Sequence, residues 1–85
     1  MNERTVVVAS ASGLHARPAK IFATAAAGTG VKIARGSGTP VDASSILRVM
    51  ALGIAHGDTV TLSTDGDESA LDSLAALLAT DLDAA

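Results

Sequence analysis

The chain has no cysteine, tryptophan or tyrosine, and Phe22 is the single phenylalanine among its 85 residues. Without cysteine, neither a disulfide nor a thiolate metal site can support the fold. The lack of stacking aromatics and a net charge of −3 argue against a nucleic-acid surface. The two histidines, His15 and His56, lie far apart with no clustered carboxylate, which excludes a zinc-ligand pattern. There is no apolar run long enough to cross a bilayer and no signal-peptide pattern, so the expectation is a cytoplasmic protein without membrane insertion. What remains is aliphatic. Hydrophobic residues make up 48% of the chain and charged residues 18%, enough for the core of one small domain spanning residues 1–85.

Periodicity divides the chain cleanly. Thr5–Ala9 is a β-branched run and reads as a strand. Ser10–Gly13 is a loop of small residues, followed by a predicted helix over Ala16–Ala27 that stops at Gly28. Val31–Arg35 alternates as a half-buried strand, Gly36–Gly38 has hairpin chemistry, and Thr39–Ala43 is a short strand that Pro40 places at a sheet edge. Ser44 or Ser45 can cap a short helix that contains Ile46, Val49, Met50 and Leu52 and ends at Gly53. Thr59–Thr64 alternates without a break. Asp67 to about Thr80 reads as a helix with Leu71, Leu74, Ala75, Leu78 and Leu82 on one face. Asp81 and Asp83 oppose the dipole at its C-terminal end, which predicts a frayed tail. Strands with one buried face and helices on that face give a two-layer α+β sandwich in the order βαββαβα.

The chemistry concentrates in Gly13-Leu14-His15-Ala16-Arg17-Pro18-Ala19. Pro18 fits a first helical turn, where a missing N–H costs nothing, and Gly13 frees the backbone just before the histidine. A helix starting near Ala16 points its orphan N–H groups back toward His15, which makes a site for a phosphate-like anion. Arg17 adds a planar donor fork suited to phosphate oxygens, although a positive charge at a helix start works against the helix itself. A nucleophile, an anion cradle and a guanidinium within a few residues describe a histidine that carries a phosphoryl group.

Those seven residues also resemble, without a substitution, the phosphohistidine signature of the HPr family, the small histidine-containing phosphocarriers of the bacterial phosphoenolpyruvate-dependent sugar phosphotransferase system. Ser45-Ile46-Leu47-Arg48-Val49-Met50-Ala51-Leu52-Gly53 resembles the family's second signature. The resemblance implies an open-faced sandwich: a four-stranded antiparallel sheet with three helices on one face. It implies that His15 takes a phosphoryl group at Nδ1 from enzyme I and passes it to IIA domains of sugar permeases, with Arg17 stabilising the phosphate. Ser12, Gly13, Ala16 and Pro18 then shape the helix-start cradle. Partner docking falls to Leu14, Lys20, Leu47, Arg48 and Ala51, and Ser45 corresponds to the serine that an HPr kinase phosphorylates in some bacteria.

Such a protein is a carrier rather than an enzyme, needs no cofactor or metal, and is expected to be a monomer. Some family members carry lysines where Thr24 and Ala27 stand, so the basic rim is thinner here, with Lys20 available instead; many have Ser or Thr at the place of Ala51, a minor departure. His56, in a Gly-rich loop, reads as incidental. Two alternatives keep the fold but change the job. One is a paralogue in a nitrogen-linked regulatory phosphotransfer chain; the other is a non-catalytic adaptor that binds transcriptional or metabolic regulators.

Overall fold

The computed structural model describes residues 2–82. Its elements run β1 (Asn2–Val7), α1 (Ala16–Ala26), β2 (Lys32–Arg35), β3 (Val41–Asp42), α2 (Ile46–Ala51), β4 (Thr59–Thr64) and α3 (Glu68–Leu78). The strands form one sheet in the order β1-β4-β2-β3, and every neighbouring pair is antiparallel. The three helices cover one face, which gives the open-faced α+β sandwich expected from the sequence.

Alternation sets the two faces. Val6 pairs with Val60, and Ile33 with Leu62, on the helix side, while Thr5 and Thr61 pair on the open side. The core gathers around Phe22, with Leu14, Ile33, Ile54, Leu62, Leu71 and Leu78 all fully buried. One aromatic ring therefore fills a core that is otherwise aliphatic. At the sheet edge, Arg4 reaches to the start of α3, 2.9 Å from Asp72 and 3.6 Å from Glu68.

Three sequence expectations need correction. β1 begins at Asn2, not Thr5, and ends at Val7. Val8 still donates to the Asp58 carbonyl, its partner in register, but Ala9 turns its N–H to the Leu78 carbonyl at the end of α3, both at 3.0 Å. β3 shrinks to Val41–Asp42, because Pro40 has no N–H to give a ladder, although β3 does lie at the sheet edge. The tail is not frayed through Leu82. Asp81 Oδ1 accepts the Ala11 N–H at 3.2 Å, the Leu82 N–H donates to Ser10 Oγ at 3.0 Å, and Leu82 is buried. The carboxylate opposes the helix dipole but serves a neighbouring loop instead. Asp83, the other acid of that expectation, lies outside the described residues.

Candidate functional site

The turn that delivers His15 is built on a close approach. The Gly13 N–H closes a β-turn on the Ser10 carbonyl at 2.9 Å, and Gly13 has φ +72°. A Cβ there would run into the Ile54 carbonyl oxygen and come within 2.8 Å of the Ala55 Cα. Only glycine permits both the positive φ and this contact. The next N–H, from Leu14, donates to the same Ile54 carbonyl at 3.1 Å. Leu14 itself is wholly buried in the core, so its expected place on a docking surface is wrong. Burying a leucine is worth about 2 kcal/mol, and the turn points this side chain inward.

His15 is the N-cap residue of α1, with extended backbone (φ −116°, ψ 156°), and its exposed ring makes no capping hydrogen bond. Ala16 follows at φ +43°, the single positive φ at a non-glycine among the described residues. An alanine there costs on the order of 1–2 kcal/mol. The first turn of α1 contains no acidic residue. Instead it has exposed Arg17 and then buried Pro18, which contributes no N–H. The helix start is therefore positive, uncapped and beside an exposed imidazole.

On the outer side of α1 a shallow groove is lined by Ala16, Arg17, Lys20, Ile21, Thr24 and Ala25. Lys20 and Arg17 thus share one surface. Ile21 is half-buried and lines this groove. α2 packs beside α1 and shows Leu47 at 81% exposure and Ile46 at 38%, with Arg48 and Ala51 also exposed. Val49 is the buried residue of that helix. Ser45 is its N-cap, and its Oγ accepts the Arg48 N–H at 3.4 Å. Ser44 is used differently: its N–H and hydroxyl both donate to Asp42 Oδ1 and hold that carboxyl below its ordinary range. Ser12 lies exposed in the turn before Gly13.

Sequence reasoning missed the polar network behind the His15 turn, in which Ser10, His56 and Asp81 all take part. These contacts span more than forty residues of chain and leave no local pattern. No helix among the described residues is long and apolar enough to cross a membrane, and no cluster of three or more His, Cys, Asp or Glu side chains forms a metal site there.

The fold is a small open-faced sandwich that presents an exposed histidine at a helix start where that residue makes no capping bond. The family model described as the PTS HPr component phosphorylation site matches residues 2–80. The chain belongs to the HPr family, the phosphocarriers of the phosphotransferase system. It is 49% identical over 87 residues to the phosphocarrier protein HPr of Streptomyces coelicolor, an alignment covering 98% of this chain and 94% of that protein. It is 37% identical over 81 residues to the HPr-like protein Crh of Halalkalibacterium halodurans, covering 92% of this chain and 96% of the relative. Among solved structures, the phosphocarrier protein HPr of Bacillus anthracis superposes with a TM-score of 0.83 at 36% identity, over 91% of this chain and 95% of that one.

Proposed function

We propose that this chain carries a phosphoryl group on His15 between enzyme I and the IIA domains of sugar permeases. The observation that supports this most directly is the start of α1: an exposed imidazole, no cap, no acidic residue, and a guanidinium one residue into the helix. In the forward step, Nδ1 of His15 attacks the phosphorus held on a histidine of enzyme I. The P–N bond of the donor breaks, and its electron pair returns to the donor ring. The same exchange in the opposite sense passes the group to a IIA histidine.

Arg17 balances phosphate charge without a metal. Gly13 and Pro18 shape the cradle, Ser12 borders it, and the Ala16 and Arg17 N–H groups face the anion. Moderate stabilisation suits a carrier, since a site that held the phosphoryl group too tightly would not release it.

Lys20, Leu47, Arg48 and Ala51 form the docking surface in this reading. An exposed leucine with Arg48 beside it on α2 and Arg17 and Lys20 on neighbouring α1 fits a partner with an apolar pocket and an acidic rim. Ser45, already at a helix start, tolerates a phosphate there, which would set negative charge beside Leu47 and weaken docking where a kinase acts on it. The protein works in the cytoplasm as a single-domain carrier, not as a free-standing enzyme.

The deciding experiment is intact mass after incubation with enzyme I and phosphoenolpyruvate, then with a IIA protein. One acid-labile phosphoryl group that moves to the IIA protein is the expected result. No uptake from an active cognate enzyme I overturns the carrier reading and leaves the adaptor to be tested. Uptake with delivery only to a nitrogen-linked acceptor moves the chain to that pathway.

A further inference from the structure

The His15 loop is gripped from two sides. From one side, the Leu78 carbonyl takes the Ala9 N–H at 3.0 Å, Asp81 Oδ1 takes the Ala11 N–H, and Leu82 donates to Ser10 Oγ. From the other, the turn after α2 supplies the Ile54 carbonyl to Leu14, and the Gly57 N–H to the Val8 carbonyl at 2.9 Å. All of these bonds on the second side are between backbone groups. One side chain joins them: Nδ1 of His56 lies 3.2 Å from the Ser10 carbonyl. That carbonyl belongs to a wholly buried residue, and it is the same oxygen that accepts the Gly13 N–H and closes the turn before His15.

The contact assigns the tautomer. A carbonyl only accepts, so Nδ1 of His56 carries the proton. The turn that holds His56 is braced in its own right. Asp58 Oδ2 accepts the Ala55 N–H at 2.9 Å and pairs with Arg35 at 3.3 Å, while the Asp58 N–H closes on the Ala55 carbonyl at 3.0 Å. His56 is therefore a donor on a fixed base, aimed at the oxygen that sets the Gly13 turn. Two donors on one carbonyl fill both of its lone pairs and fix the plane of the Ser10 peptide. With one donor removed, that plane can tilt, and the tilt reaches His15 through Gly13 and Leu14.

We propose that His56 is a positioning residue for phosphoryl transfer at His15, acting through the Ser10 carbonyl. The proposal rests on the phosphocarrier reading for its kinetic readout, but the contact itself can be measured without it. His56 never touches the phosphoryl group in this scheme and is not a second acceptor.

The test compares the wild type with H56A and H56N, at one pH, for phosphoryl uptake from phospho-enzyme I over a range of carrier concentrations. Thermal melting is recorded in parallel, along with nitrogen-15 NMR of the His56 ring. Losing one hydrogen bond of this kind should lower kcat in H56A by about three- to tenfold. KM should stay unchanged, because the docking surface on α1 and α2 is untouched. Asparagine places an N–H donor near the position of Nδ1, so H56N should return to within about twofold of wild type.

A purely structural role would lower the melting temperature of H56A while leaving kcat of the folded protein at the wild-type value. H56A at the wild-type rate, H56N as slow as H56A, or a His56 ring protonated on Nε2 alone each overturn the proposal while leaving the carrier reading intact. A wild type that accepts no phosphoryl group overturns both together.

Discussion

Two helices of this fold are the same length, eleven residues each, and start in opposite ways. α3 opens as a stability-optimised helix should. Asp67 caps it, with Oδ1 accepting the Ser69 N–H at 2.8 Å, and Glu68 occupies its first turn. α1 has none of this. Its N-cap residue is a histidine that makes no capping bond, its first turn has no acid but an arginine, and Ala16 stands at positive φ. The two N-termini carry the same orphan N–H groups and the same dipole. One is met by side chains within the chain; the other has no acidic residue and no capping bond. The difference marks where stability has been given up, and in the proposed function the conceded groups are the ones a phosphoryl group needs.

Making α1 start like α3 is the most severe test of this comparison. His15→Asn puts a good capping residue on backbone that is already extended, and removes the nucleophile. Phosphoryl uptake from phospho-enzyme I should vanish by intact mass, while chemical denaturation shows a gain of about 0.5–1 kcal/mol. A variant that loses both uptake and stability would mean that the imidazole supports the fold, and the contrast with Asp67 would collapse.

Arg17→Glu copies the acidic first turn of α3 without touching the nucleophile. Uptake should slow about tenfold or more, since a charge that attracts phosphate is reversed. Helix stability should rise by about 0.3–1 kcal/mol at low salt. Stopped-flow transfer kinetics with parallel melting curves check both, and an unchanged rate with the fold retained would remove Arg17 from the site.

The contrast between the two starts was partly legible in the sequence. Pro18 and Gly28 bracket α1, and Asp67 and Glu68 announce α3, because caps and breakers act through neighbouring residues. The apolar stripe of α3 and the alternation of β4 were readable for the same reason. Leu14 misled because it sits inside the reactive motif, and nothing local says that the Gly13 turn points it into the core. Asp81 misled because dipole reasoning sees only its own helix, whereas its partner is the Ala11 N–H, seventy residues away in the chain. His56 looked incidental because its acceptor is a backbone carbonyl, which leaves no mark in residue identity. The positive φ of Ala16 has no sequence signal at all, since alanine ordinarily avoids it.

If a cap does not hold the start of α1, its loop must, and Gly13 is the point of closest approach. Gly13→Ala should destabilise the protein by about 1–3 kcal/mol and displace the His15 turn, since both the backbone angle and the Ile54 carbonyl reject a Cβ. Gly28→Ala is the control. Gly28 has a similar φ of +77° with nothing within 4 Å of a Cβ, so only the left-handed backbone is penalised, by roughly 1 kcal/mol. Equal losses in urea denaturation would show that the Gly13–Ile54 contact relaxes freely and does not hold the loop.

The smallest effect belongs to the satisfied helix, and it carries a pH signature. The Ser69 N–H, and then its hydroxyl, hold the Asp67 carboxyl below its ordinary value. A carboxylate favoured by folding contributes stability above its unfolded pKa, near 3.9, and loses it as pH falls through the lower folded value. Asp67→Ala should therefore melt below wild type at neutral pH by a constant interval, which begins to close only in acid, below about pH 4. Asp67→Asn, which still caps but cannot titrate, should stay close to wild type at neutral pH. Parallel melting curves for wild type and Asp67→Ala down to strong acid would mean that the Ser69 bonds contribute nothing as ionised contacts. The start of α3 would then differ from that of α1 only in sequence, not in energy.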